Sequence, residues 1–227
     1  MKQEPQRTTD SRVLYEERQL KELAARWDAK AAGWDRALQD PECHLNEDHA
    51  YELFLKHLTT IVQERHEFCR KHGVIDAGCA TGLVLAEVLP AFAWGFGVDI
   101  SPEMIKIARK KQIPRAQFVV GDCFNLCAIA SKAGAVISRG VLLSHYGRPN
   151  ARELLRSAKA AMVGKGFLLC DFLNQGARNR YSHEPVNKSY YEAGEVCRLA
   201  YEAGFGRAEV LGETERRVRM LLAEATG

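Results

Sequence analysis

The apolar positions along this chain change their period once, near residue 73. Before that point they fall at helical spacing. Leu14, Leu20, Leu23, Ala24 and Trp27 alternate with charged residues over about Ser11 to Gly33. After a break at Asp40-Pro41, Leu53, Phe54, His57, Leu58, Ile61 and Val62 form the apolar stripe of a helix running from about Leu45 to Lys71. From Gly73 onward, short apolar runs alternate with helical patterns. The runs predict strands at Val74–Asp76, Gly95–Asp99, Gln117–Val120, Ala135–Ser138 and Gly166–Phe172. Helices are predicted over Leu83–Pro90, Pro102–Lys111, a short piece near Phe124–Ser131, and Asn150–Met162. Ser101-Pro102 supplies an N-cap and a first-position proline, and Gly164-Lys165-Gly166 reads as the loop before the fifth strand. A last helix over about Tyr190–Ala203 leads to strands at Arg207–Leu211 and Arg216–Ala223, joined by Gly212-Glu213-Thr214-Glu215. Strands alternating with helices imply a parallel sheet covered on both faces. The expected organisation is a disordered polar stretch over 1–10, a helical lid or cap over 11–72 and the main domain over 73–227.

Composition narrows the classes. A chain of 227 residues, 46% hydrophobic and 27% charged, suits one α/β domain with an N-terminal extension. A formal charge of +3 is too small to argue for nucleic acid or a membrane surface, and the short runs Arg109-Lys110-Lys111 and Arg216-Arg217-x-Arg219 read as solvated faces. The seven cysteines include no C-x-x-C pair, and Cys43-His44 and Cys69-x-x-His72 lack a second ligand pair of suitable spacing, so no metal is expected. Thiols scattered through apolar segments suggest a reducing compartment. With no apolar leader and no uncharged stretch of spanning length, the expectation is cytoplasmic.

The chemistry begins at Val74-Ile75-Asp76-Ala77-Gly78-Cys79-Ala80-Thr81-Gly82. A buried strand ends at an acid and enters a glycine-rich turn before a helix start, where free N–H groups favour polar or anionic ligand groups. The order Asp-x-Gly-x-Ala-x-Gly differs from the dinucleotide fingerprint. A carboxylate at the strand tip would repel a pyrophosphate but suits an ammonium or sulfonium. Asp99 follows Gly78 by 21 positions, where an acid can accept from ribose hydroxyls. A third strand ends at Gly121-Asp122-Cys123-Phe124.

These residues resemble the class I S-adenosylmethionine-dependent methyltransferases, with motif I in the form Val-Ile-Asp-Ala-Gly-Cys-Ala-Thr-Gly. The sequence departs at Ala80, where glycine is usual; a methyl group can be accommodated there if that residue's φ is negative. The resemblance runs from about Trp27 to the C-terminus. It implies a doubly wound, mostly parallel seven-stranded sheet with a C-terminal antiparallel hairpin, helices on both faces and an N-terminal helical lid. It implies S-adenosylmethionine as cofactor, with Asp76, Gly78, Cys79, Ala80 and Gly82 in the glycine turn. Asp99 is then assigned to the ribose, Ile100 and Met104 to the adenine, Asp122 to the adenine amino group, and Cys123 and Phe124 beside it.

In open α/β sheets the ligand sits outside the carboxyl ends of the strands. Ser138, Arg139 and Gly140 after the fourth strand should therefore face the reactive end of the cofactor. His145 stands where many small-molecule methyltransferases carry a histidine suited to take a proton from the acceptor. Asp171 could orient it or hold an acceptor hydroxyl. Trp27-Asp28 to Trp34-Asp35 resembles the family's lid segment, with Trp34 expected over the methionine moiety and Trp27 in the core. Tyr146, Tyr181, His183 and Tyr191 are acceptor-pocket candidates. The function so implied is methyl transfer to a small-molecule O, N or C acceptor, by a monomer or homodimer without nucleic-acid or membrane partners. The alternative is a non-methylating cofactor-binding protein of the same fold. A nicotinamide dehydrogenase is disfavoured by Asp76. A DNA amino-methylating enzyme is disfavoured by the sequence after strand four, which lacks Asn/Asp-Pro-Pro-aromatic.

Overall fold

The computed structural model describes residues 17–40, 42–43, 47–130, 132–140, 142–180 and 188–226. Among the described residues eight strands form one sheet: β1 (Val74–Ala77), β2 (Gly95–Asp99), β3 (Ala116–Val120), β4 (Ala133–Ser138), β5 (Met162–Asn174), β6 (Tyr190–Tyr191), β7 (Arg207–Leu211) and β8 (Val218–Glu224). Their order is β3-β2-β1-β4-β5-β8-β7, with the short β6 paired in parallel to β5. Strands β1 to β5 run parallel, and β8 returns antiparallel between β5 and β7. The expected doubly wound sheet with a terminal hairpin is present. It has eight strands rather than seven, because Tyr190-Tyr191, expected within a helix, instead adds the edge pairing beyond Leu173. Both rings are buried there, Tyr191 completely.

The helices are α1 (Glu17–Asp28), α2 (Trp34–Gln39), α3 (Ala50–Glu64), α4 (His66–Cys69), α5 (Leu83–Val88), α6 (Pro102–Lys110), α7 (Leu126–Ile129), α8 (Arg148–Ala161) and α9 (Ala193–Glu202). The long helix expected to Lys71 breaks at Arg65, which leaves α4 separate. The Gly164-Lys165-Gly166 loop is instead an irregular start of β5, where the register against β4 shifts between Ala133 and Ala135. Gly166 permits this crossing, since a Cβ there would lie 2.9 Å from the Gly134 carbonyl oxygen.

Alternation along the strands sends side chains to two apolar layers. Ile75, Val136 and Leu168 join α7, α8 and α9 in one; Val74, Ala135, Phe167 and Leu169 join α3 and α5 in the other. Phe54, Leu58, Ile61 and Val62 of α3 are buried in that second layer. This helix covers the sheet, whereas α1 and α2 cross the carboxyl ends of the strands. Phe118 of β3 packs flat because Gly97 lacks a side chain; a Cβ on Gly97 would meet its ring at 2.5 Å. Strand order reverses between β1 and β4, which opens a crevice beyond their carboxyl ends. Among the described residues no helix is long and apolar enough to cross a membrane.

Candidate active site

That crevice is a cleft of about 650 Å³, part of it open to solvent, roofed by Leu23, Trp27 and Trp34. The strand-end residues Gly78, Asp99, Ile100, Asp122, Cys123 and Gly140 line it, as do Ala80, Met104, Arg139, His145 and Tyr146. Twelve residues of the sequence-based site, Trp34 among them, therefore converge on one cavity. Leu23, Trp27, Gly121 and Leu142 line it too and were not expected there.

The glycine turn is tight. Gly78 and Cys79 both donate their N–H to the Val98 carbonyl, at 2.8 and 3.0 Å, which ties the turn to the neighbouring strand. Gly78 has φ +75°. Ala80 has φ +47°, so the condition of a negative φ is not met, and its N–H donates to Asp99 Oδ2 at 2.8 Å. Left-handed backbone costs an alanine about 1 kcal/mol. The other oxygen of Asp99 accepts from Ser101 N–H at 2.9 Å. Burial raises the Asp99 carboxyl, while those two backbone donors oppose the rise. Asp122 likewise accepts from Phe124 N–H at 2.8 Å and faces the cleft. Burial pushes the adjacent Cys123 thiol up, so it is a neutral wall.

Asp76 does not line the main cleft. It lies under the turn, in a smaller adjoining cavity shared with Trp34, Cys79, Leu83 and Arg139. Its Oδ2 is buried with no hydrogen-bond partner among the described residues. Burial first, then the charge of Asp99, raises this carboxyl to about 8. Cys79 and Gly82 shape the turn without facing the cleft: Gly82 has φ +77° and abuts Phe118. Ser138 donates to the Ala77 carbonyl at 2.8 Å and is buried between β1 and β4. Phe124 stacks edge-on against Tyr146 at 5.0 Å and is absent from the cleft wall.

Two Trp-Asp pairs form the roof. Trp27 and Trp34 meet edge to face at 5.7 Å. Asp28 accepts from Ser101 Oγ and from Glu103 N–H, fastening α1 to the start of α6. Asp35 accepts from Thr81 Oγ1 and pairs with Lys111 Nζ at 2.7 Å, fastening α2 to the glycine turn. Trp27, expected in the core, instead lies 5.3 Å from the ring of His145. The seven-residue repeat of the Trp-Asp pair, two turns of helical spacing, was the signal for this paired role.

The opposite end of the cleft carries His145. Its Nε2 meets Lys188 Nζ, and a backbone hydrogen bond at Gly140 acts on the imidazole from the loop side. Burial, and next the charge of Lys188, lower the imidazole to about 3. Burial lowers the Lys188 ammonium to about 7; Arg26 and Lys30 push the same way, and Asp171 opposes them. Lys188 is held by its neighbour, whose Ser189 N–H donates to the Ser144 carbonyl at 2.8 Å. No sequence pattern singled it out. Asp171 is buried and does not touch the cleft: both its oxygens accept from Gly140 N–H, at 3.0 and 3.1 Å, fixing the turn after β4. Tyr191 is also behind the wall, its hydroxyl donating to the Leu143 and Tyr146 carbonyls. Tyr181 and His183 lie outside the described residues.

Residues 74–166 match the model of a family described as a methyltransferase domain. The fold is similar to that of magnesium protoporphyrin IX methyltransferase from Synechocystis PCC 6803, solved with bound SAH: 16% identity, 91% of this chain and 99% of that one, TM-score 0.68. It is similar to DhpI in a SAM-HEP complex, at 15% identity over 90% of this chain and 96% of that one, TM-score 0.68. It is also similar to the [4+2]-cyclase SpnF, at 15% identity over 90% and 95% of the two chains, TM-score 0.67. No curated protein matches the chain in sequence.

Proposed function

We propose that this chain, a class I methyltransferase by its domain at residues 74–166 and by its fold, binds S-adenosylmethionine in the cleft and passes the methyl group to a small-molecule O, N or C acceptor beside His145. One observation carries the reading: Asp76 and Asp99 are buried at adjacent strand ends, and neither is in an ion pair among the described residues. A cationic ligand relieves that arrangement and a pyrophosphate would worsen it. Each oxygen of Asp99 takes one backbone N–H and keeps lone pairs for ribose hydroxyls. Asp122 suits the adenine amino group, Ile100 and Met104 its faces, and Trp34 with Arg139 and Gly140 the methionine part.

Bound there, the sulfonium supplies a methyl group open to in-line displacement. The chain's own task is to align the acceptor and exclude water, which the two tryptophans and Tyr146 support. An acceptor that arrives protonated must give up that proton, and His145 is the residue proposed to take it. Its condition is explicit: Nε2 is engaged by Lys188, which must first yield. Asp171 acts as a positioning residue through Gly140. The setting proposed is the reducing cytoplasm, where buried thiols such as Cys69, Cys79, Cys123 and Cys170 persist.

A second reading, cofactor binding without methylation, is favoured by one fact: a protein described as a [4+2]-cyclase has a similar fold. Calorimetry with S-adenosylmethionine and S-adenosylhomocysteine, followed by turnover with a metabolite extract, tests both. Heat with turnover supports methyl transfer; heat without turnover supports the second reading. No heat with either compound rejects both.

A further inference from the structure

We propose that Asp76 holds a proton before the cofactor binds and gives it up to solvent when a cationic group of the cofactor enters the cleft, so that binding and proton release are one event. The inference rests on cofactor binding in the cleft, not on methyl transfer.

The sheet register puts the two buried carboxyls on one face. Asp76 is paired with Gly97, and residues two apart on a strand share a face, so Asp99 lies on the same side one step along β2. Gly97 contributes no side chain there, and the space beside it is filled by the Phe118 ring and Cys79 Sγ. Asp76 is 2% exposed and Asp99 8%. Their hydrogen bonding differs. Asp99 accepts from Ala80 N–H on one oxygen and Ser101 N–H on the other. The Leu85 N–H of α5 acts on Asp76, but its Oδ2 is buried without a hydrogen-bond partner among the described residues. Asp76 lines the small cavity under the glycine turn, which shares Trp34, Gly78, Ala80 and Arg139 with the main cleft.

Two carboxylates so placed do not both ionise in apolar surroundings. The charge settles on Asp99, which has the donors, and the proton on Asp76. The groups around Asp76 leave that balance in place. Burial pushes the Cys79 and Cys123 thiols up, so both are neutral. Trp34, Leu38 and Val84 are apolar, and Arg139 has Asp171 and the Tyr51 ring as its own neighbours. Burial first, and Asp99 next, raise the Asp76 carboxyl to about 8, in keeping with this assignment.

A positive charge in the cleft reverses the balance. The O–H bond of Asp76 breaks, its electron pair stays on the carboxylate, and the proton passes to solvent. The carboxylate then faces a cation across a low-dielectric gap. S-adenosylmethionine carries two such groups, an ammonium and the sulfonium, whereas S-adenosylhomocysteine keeps only the ammonium.

The test is calorimetric titration of the full chain with each compound at about pH 7, in two buffers of different ionisation enthalpy, which counts the protons released. S-adenosylmethionine should release close to one proton, and its affinity should rise by up to about tenfold between about pH 6 and pH 7. Asp76→Asn should bind with neither proton release nor that slope. Release with both compounds assigns the displacement to the ammonium; release with S-adenosylmethionine alone assigns it to the sulfonium. Binding without proton release, or equal release from Asp76→Asn, overturns the proposal. If neither compound binds, the cofactor reading fails first. A second measurement needs no variant. With aspartate isotope-labelled at its carboxyl carbon, infrared difference spectra should show a protonated-carboxyl band that disappears as S-adenosylmethionine is added. A ligand-free protein without that band at about pH 7 also overturns the proposal.

Discussion

At the β1–β3 end of the cleft the polar groups are carboxylates, each fixed by backbone N–H groups of the turns that follow its own or a neighbouring strand. At the β4–β5 end Arg139, His145 and Tyr146 line the cleft, and Lys188 meets His145 Nε2. The first end is a product of local chain geometry and tolerates little change. The second depends on packing between distant segments.

The largest test of this contrast is Asp99→Ala. It should weaken S-adenosylhomocysteine binding about 100-fold, roughly 3 kcal/mol, by removing a charged acceptor, while acceptor KM changes little; calorimetry and initial rates separate the two. Next comes Asp76→Asn. The folded carboxyl sits at about 8 against an ordinary 3.8, so the stability tied to its proton is complete below about pH 4 and is lost as pH rises through 8. The asparagine variant should match the parent at pH 4 and exceed it by several kcal/mol above pH 8 in thermal melts, yet bind the cofactor less tightly. The smallest effect is Ala80→Gly, which should add about 0.5–1 kcal/mol by relieving the positive φ.

How much of this the sequence revealed follows the same division. Strand tips with Asp76, Asp99 and Asp122 were legible because period, glycine spacing and acid position are local properties. The positive φ of Ala80 had no local signal, because it goes with a hydrogen bond to Asp99, 19 positions away. Tyr190-Tyr191 read as helix because its strand pairing exists only once β5 extends to Asn174. Trp27 read as core because nothing local distinguishes an aromatic packed inward from one laid across a cleft. Lys188 gave no signal at all: its significance comes entirely from His145, 43 positions earlier.

The two aspartates of the roof have a kinetic consequence. Asp28 holds the first turn of α6, and Asp35 holds Thr81 in the glycine turn, so widening the cleft on the α1 side must release both. Amide exchange at Glu103, whose N–H donates to Asp28, should therefore report opening of that side of the roof.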